Sequence, residues 1–264
     1  MASLTDMQNP DKRPSAKKHF VLMALLVVVV VSIAMYANTW KETRLVSEVV
    51  VEGNRIIPDK DILASAKVPN GTPLFAVDLF AIEQRVAKNQ FVKSVAVHRD
   101  IPHRVRISIE ERIPVAAMVL DKVYYLDADG YVLPPARSQF IFDLPVLSGS
   151  LSHGDLLPGQ QTSSKNVLEA LSLLAIAREV DEEMYRNISE IRIDGNKDLM
   201  FYTAELGVPV IVGRGNFGTK MVTFDSFWRE VVARNGAYEL QYIDLRYDEQ
   251  VVVRWSREHG DVHS

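Results

Sequence analysis

The chain has 264 residues, 47% of them hydrophobic and 24% charged, and no cysteine. This is ordinary globular composition on one to two domains' worth of length; it excludes disorder throughout, a collagen, a polytopic membrane protein, and any disulfide framework, zinc–thiolate site or thiol nucleophile. Thirty Lys and Arg against 34 Asp and Glu leave a formal charge of −4, so nothing builds the basic field that nucleic-acid binding needs.

Residues 1–19 are polar, contain Pro10 and Pro14, and lack an apolar period that could bury a core; they are expected to form a disordered cytoplasmic tail. Phe20–Ala37, FVLMALLVVVVVSIAMYA, is an 18-residue run without a charge, close to the roughly 20 residues that cross a bilayer. It reads as one transmembrane helix. Lys12, Arg13, Lys17 and Lys18 precede it, and basic residues on one flank favour the cytoplasmic side. The expected orientation is therefore N-terminus inside, with the bulk of the chain outside. Tyr36 and Trp40 fall where the far interface lies, a depth that amphipathic rings favour. A cleaved signal peptide is the alternative, but its apolar region usually runs only ~7–15 residues and ends in a small-residue site. The charges divide accordingly: four basic and two acidic residues stand at 1–19, against 26 and 32 after it.

From Leu45 short strands and helices alternate. The β-branched run LVSEVVV predicts a strand closed by Gly53-Asn54. Pro58 opens a helix, and Asp78 is placed to cap a second in which Leu79, Ile82 and Val86 recur at helical spacing. FVKSVAVHR, the turn DIPH and RVRISIEER follow, the last alternating Val105, Ile107 and Ile109 with polar residues as a half-buried hairpin strand does. The order β-α-α-β-β over 45–113 predicts a compact unit whose sheet buries one face against both helices.

After Pro114 a second domain, 114–255, is expected to be mainly antiparallel β with helices, in an α+β chain. Short strands precede a helix at about 165–179 with Leu168, Leu171 and Ala175 on one face. Strands follow near 188–194, 199–203 and 209–213, with a turn at Gly195-Asn196. A helix over about 221–234 ends at Asn235-Gly236, and the strands LQYIDLRY and VVVRW close the domain. Residues 256–264 read as a free polar tail.

Motifs for chemistry are few. Gly213-Arg-Gly215-Asn-Phe-Gly218 matches G-x-G-x-x-G between a strand and a helix, where backbone N–H groups could meet a phosphate. Too little chain follows it for a doubly wound sheet, and Thr219-Lys220 inverts the P-loop order, so it reads as a strand-to-helix turn. Asp127-Ala-Asp129-Gly130 opens like a calcium loop, yet Ser138 stands where the twelfth-position glutamate belongs; a hairpin turn explains it. His98 and His103 lack a third ligand. Glu110 and Glu111 point to opposite faces of a strand and read as ordinary strand-end charges. No catalytic residue, metal ligand or cofactor site emerges. The terminal strand offers more, since a last strand at a sheet edge presents unpaired backbone groups to an incoming strand.

The runs VVVEGNRIIPDKDILASA, FVKSVAVHRDIPHRVRISIEERIPVA, YYLDADGYVLP, LPVLSG and YIDLRYDEQVVVRW resemble the FtsQ/DivIB family of bacterial cell-division proteins, over about residues 20–255. The resemblance implies a bitopic inner-membrane protein at the division septum, with a POTRA domain at 45–113 followed by a β domain. It implies a non-enzymatic scaffold that binds the FtsB–FtsL complex, links early to late division proteins, and needs no cofactor. The POTRA domain would contribute to recruitment to the septum, and the last strand would accept a strand of FtsB through Arg246, Tyr247, Val251, Val253 and Trp255. Other readings are a POTRA protein of secretion or envelope assembly, for which a single such unit and no β-barrel leave little room, and a membrane-anchored nucleotide-dependent enzyme at Gly213–Gly218.

Overall fold

The computed structural model describes residues 16–135, 142–150, 154, 156–194, 198–236, 240–247 and 250–256. The expected tail before residue 16, the Gly195-Asn196 turn and the polar end from 257 lie outside the described residues. The chain divides into two units. One carries the long N-terminal helix and most of a small sheet. The other carries a large sheet and takes in 53–58, 87–94 and everything from Glu110.

In the first unit helix α1 spans Ala16–Thr43, beginning four residues before the charge-free run. The stretch Lys18–Lys41 is long and apolar enough to cross a membrane, and none of it is buried by the rest of the chain. Strand β1 (Glu48–Glu52), helices α2 (Asp59–Ala66) and α3 (Leu79–Val86) and strands β2 (Val92–Asp100) and β3 (Arg104–Glu111) follow. The sheet order is β1-β3-β2, with β1 parallel to β3. A parallel pair needs a crossover, and α2 and α3 supply it. Asp78 caps α3 as expected, accepting the Ala81 N–H at 3.0 Å. Val105, Ile107 and Ile109 are buried, as are Ile62, Ala66, Ile82 and Val86 of the two helices. Outside that core Arg104 and Arg106 both pair with Asp100, at 3.0 and 2.9 Å.

The second unit contains β4 (Pro114–Val119), β5 (Val123–Asp127), β6 (Val132–Leu133), β7 (Val146–Gly149), β8 (Ile188–Ile193), β9 (Leu199–Thr203), β10 (Pro209–Gly213), β11 (Leu240–Asp244) and β12 (Val252–Trp255). Its helices are α4 (Lys165–Val180), α5 (Glu182–Arg186) and α6 (Phe217–Phe227), the last continuing through a π-type turn to Asn235. The described strands form one sheet, β12-β11-β10-β9-β8-β7-β4-β5-β6. Five of its eight pairings are antiparallel and three parallel (β4–β7, β7–β8, β10–β11), so the sheet is mixed.

Register aligns one apolar row across this sheet. Met118 faces Leu147, Leu147 faces Ile191, Ile191 faces Phe201, Phe201 faces Val210, Val210 faces Ile243, and Ile243 faces Val253. Helices α4 and α6 share a hydrophobic core with this row. Phe224 of α6 is 1% exposed and meets Phe201 edge-on, with ring centroids 5.2 Å apart.

Three local expectations change. The buried residues of α4 are Val167, Ala170, Leu171, Leu173, Leu174 and Ala177, while Leu168 and Ala175 are exposed. Leu168 and Leu171 are both apolar at helical spacing, so the period alone could not choose the stripe; packing on the sheet does. Helix α5 is an addition, begun by Asp181, whose Oδ1 accepts the N–H groups of Glu183 and Met184. Glu111 is more than a strand-end charge: its carboxylate accepts the consecutive N–H groups of Arg55, Ile56 and Ile57 at 2.8, 2.8 and 2.7 Å. Three amide donors on one turn would otherwise lack a partner.

Truncating Phe224 to Ala removes the ring that fills the space between α6 and β9 and should cost about 3–5 kcal/mol, read as a shift of the urea midpoint with unchanged slope. Glu111→Ala should cost roughly 1–3 kcal/mol in the same assay, because the amides it serves are left without an acceptor.

Candidate functional site

A sheet ends in strands whose outer N–H and C=O groups are unpaired, and such edges are where other chains attach. The two sheets treat their edges differently. Beside β6 the segment 157–162 closes the edge: Val132 N–H donates to the Gln160 carbonyl at 2.9 Å, and Gly159 N–H donates to the Val132 carbonyl at 2.8 Å. Strand β2 edges the small sheet, and there the Val97 N–H is taken by Glu83 Oε1 of α3 at 3.0 Å. Ahead of β1, the backbone of Val46 bonds Thr72 and Gly71. At the other end of the large sheet β12 pairs with β11 alone, and no described strand lies beyond it.

Local chemistry positions this last hairpin. Asp244 ends β11, and Arg246 follows two residues on, past the strand, where its backbone N–H donates to Asp244 Oδ1 at 3.0 Å. Asp244 is 4% exposed, and Arg246 donates to it from Nε (3.0 Å to Oδ1) and Nη2 (2.6 Å to Oδ2). The remaining arm of the guanidinium, Nη1, reaches Asp198 at 2.9 Å. Hydrogen bonding from Arg246 holds the Asp244 carboxyl below the usual carboxylate range, against the cost of burial. Gly213, with φ of +71°, leaves room for the arginine stem: a Cβ there would stand 2.9 Å from Arg246 Cγ.

The five residues singled out in the sequence fall in three environments. Val251 and Val253 are partly buried and pack against the main core. Tyr247 is 54% exposed and Trp255 36%, so neither ring is a core residue. Arg246 is partly exposed but tied to its two aspartates. Asp198 and Asp244 escaped the sequence reading; the i, i+2 spacing of Asp244 and Arg246 was the available signal, whereas Asp198 reaches Arg246 only through the fold. A cavity of about 250 Å³ adjoins the hairpin, lined by Asn216, Thr219, Lys220, Tyr247 and Gln250 among others.

The glycine-rich segment is the strand-to-helix turn expected. Gly213, Gly215 and Asn216 have positive φ, and α6 starts at Phe217, earlier than its periodicity suggested. Lys220 Nζ donates to the carbonyls of Val212 and Arg214 at 2.9 and 3.2 Å, and Arg214 pairs with Glu169. These cations serve the protein's own backbone and side chains. Asp127 likewise belongs to its turn: Oδ1 accepts the N–H groups of Asp129 and Tyr131, while Oδ2 meets Arg112 Nη1 at 2.7 Å. His98 and His103 are exposed, and among the described residues no group of three His, Asp or Glu side chains is placed to hold a metal.

Because the Asp244 pKa is lowered on folding, its contribution is present above the ordinary carboxylate value of about 3.9 and is lost as pH falls through the folded value. Asp244→Asn should therefore be less stable than wild type at pH 7, with the gap closing toward pH 3, in urea unfolding of the full chain in detergent.

A family model described as the FtsQ-type POTRA domain matches residues 44–112, and one described as FtsQ/DivIB, C-terminal related matches 113–253. The cell division protein FtsQ of Syntrophotalea carbinolica is 31% identical over 209 residues, 79% of this chain and 73% of the relative. That of Geotalea daltonii is 31% identical over 195 residues, 74% of this chain and 70% of its own. That of Rhodothermus marinus is 28% identical over 258 residues, 95% of this chain and 92% of its own. With an FtsQ-type POTRA match followed directly by an FtsQ/DivIB match over the large sheet, the chain belongs to the FtsQ/DivIB family of bacterial cell-division proteins.

Proposed function

We propose that this chain is a scaffold of the bacterial division machinery that works by binding rather than catalysis, receiving a partner's β-strand on β12. Helix α1 anchors it in the inner membrane at the septum, with residues 1–19 cytoplasmic and the domains at 45–113 and 114–255 periplasmic. The observation that carries the reading is that β12 ends the large sheet with no described neighbour on its outer side. Strand addition there would extend the sheet by backbone hydrogen bonds, with side chains flanking the strand choosing the partner. Tyr247 and Trp255 offer large exposed ring surface, a residue type enriched at binding hot spots. Val251 and Val253 supply an apolar ridge already backed by core, and Arg246 a cation fixed in direction by Asp244 and Asp198. By the family resemblance the partner is the FtsB–FtsL complex, FtsB supplying the strand, and the POTRA domain contributes to recruitment.

Full-length protein in detergent should bind the extracytoplasmic part of an FtsB–FtsL coiled coil, with Tyr247→Glu and Trp255→Ala each weakening the affinity at least about tenfold, the loss of roughly 1.4 kcal/mol or more that marks a hot-spot truncation. Leu206→Ala, at an apolar residue as exposed as Tyr247 but in the β9–β10 turn, should leave it unchanged. Wild-type affinity in both edge variants would remove β12 as the docking strand.

A further inference from the structure

Helix α1 extends past the stretch that needs hydrocarbon. Phe20–Ala37 comprises 18 residues, and the helix continues to Thr43. With that run centred in ~30 Å of hydrocarbon at 1.5 Å per residue, Trp40 stands about 2 Å beyond the acyl chains and Arg44 about 8 Å beyond them. The headgroup layer adds about 5–7 Å on each side, so Trp40 lies within it and Arg44 at its outer boundary.

The folded part of the first unit meets the helix at this level. The Trp40 and Phe75 rings lie 6.0 Å apart, and the Arg44 guanidinium stacks over Trp40 at 4.9 Å. The Arg44 carbonyl accepts the Leu74 N–H at 2.6 Å, and Leu45 bridges Pro73. Leu74 is fully buried, and Arg99 donates to the Leu74 and Val77 carbonyls at 3.0 and 2.7 Å, so the short helical turn Leu74–Ala76 is rooted in the core. Nor is there slack between helix and strand: Val46 N–H bonds the Thr72 carbonyl and Ser47 N–H the His103 carbonyl. The depth of Trp40 therefore sets the depth of the turn.

We propose that Trp40, Arg44, Leu45 and the turn Leu74–Ala76 form a docking surface for phospholipid headgroups, which holds the POTRA fold against the membrane instead of letting it swing on a linker. The inference rests on reading α1 as a membrane span. A lipid occupant is favoured over a protein because this surface is continuous with the span: the helix carries Trp40 into the headgroup layer and delivers Arg44, directly after its last residue, to the outer boundary of that layer. The residue types agree. Trp40 and Phe75 suit the acyl boundary, while Lys41 and Arg44 bring cations to phosphate depth. Arg44 Nε is buried with no hydrogen-bond partner among the described residues, and Leu45 is 48% exposed.

The absence of cysteine makes single-site spin labelling specific. Full-length protein in nanodiscs of phosphatidylethanolamine and phosphatidylglycerol would be labelled at Ser32→Cys, Ala76→Cys or Leu45→Cys and probed with oxygen and a water-soluble nickel chelate. The Ser32 label should be oxygen-accessible and nickel-protected. The Ala76 and Leu45 labels should lie within about 5 Å of the phosphate plane, the thickness of the headgroup layer. Adding Trp40→Ala should raise nickel access at Ala76 several-fold. A buried Ser32 label with Ala76 and Leu45 labels as nickel-accessible as free label in water would overturn the docking and leave the anchor standing. A nickel-accessible Ser32 label would overturn the anchor, and the docking with it.

Discussion

The apolar row from Met118 through Leu147, Ile191, Phe201, Val210 and Ile243 to Val253 fixes the second unit, because side chains on a strand alternate with period two and a slip of one residue in any pairing would turn that strand's share of the core to solvent. The first six members are fully or almost fully buried; Val253 is only partly so, since it has a neighbouring strand on one side. The row that closes the core thus also decides which strand is left at its end. Helices α4 and α6 lie over the row, and once Phe224 is seated on Phe201 the covered face admits no other register.

Edges are the second consequence. A sheet that does not close leaves two, and unprotected edges invite unwanted pairing. Here β6 is lined by the segment running to Gln160, and β2 is met by the Glu83 carboxylate, while β12 has no described strand beyond it. Tyr247 and Trp255 flank β12 with exposed rings, and Arg246 is held at its approach. Strand β1 likewise ends the small sheet, pairing with β3 alone among the described strands.

Residues that resemble catalytic or ligand-binding groups in one dimension are engaged with the protein's own backbone in three. Glu111 serves the amides of 55–57, Asp127 those of its turn, and Lys220 the carbonyls of Val212 and Arg214. The physical reason is common to all three: tight turns leave backbone groups without regular partners, and a nearby charged side chain satisfies several at once. Motif spacing cannot separate this use from ligand binding, because both exploit the same exposed donors and acceptors.

Elements whose signals are local can be read from the amino-acid order alone. The charge-free run defines α1, alternation in Val105, Ile107 and Ile109 defines β3, Asp78 caps α3, and the apolar runs between Ile188 and Gly213 form the strands expected of them. The G-x-G-x-x-G segment was legible as a turn because Thr219-Lys220 inverts the P-loop order, and the motif-level likeness to a division-protein family was carried by residues close in sequence. Tertiary structure alone decided the strand order with its three parallel pairings, the choice of Leu174 and Ala177 over Leu168 and Ala175 as the covered side of α4, and the union of Asp198 with Arg246. It also decided that β12 stands last among the described strands of the large sheet. These depend on which surfaces meet across long separations in the chain, and no period or spacing within a segment encodes a partner that lies elsewhere.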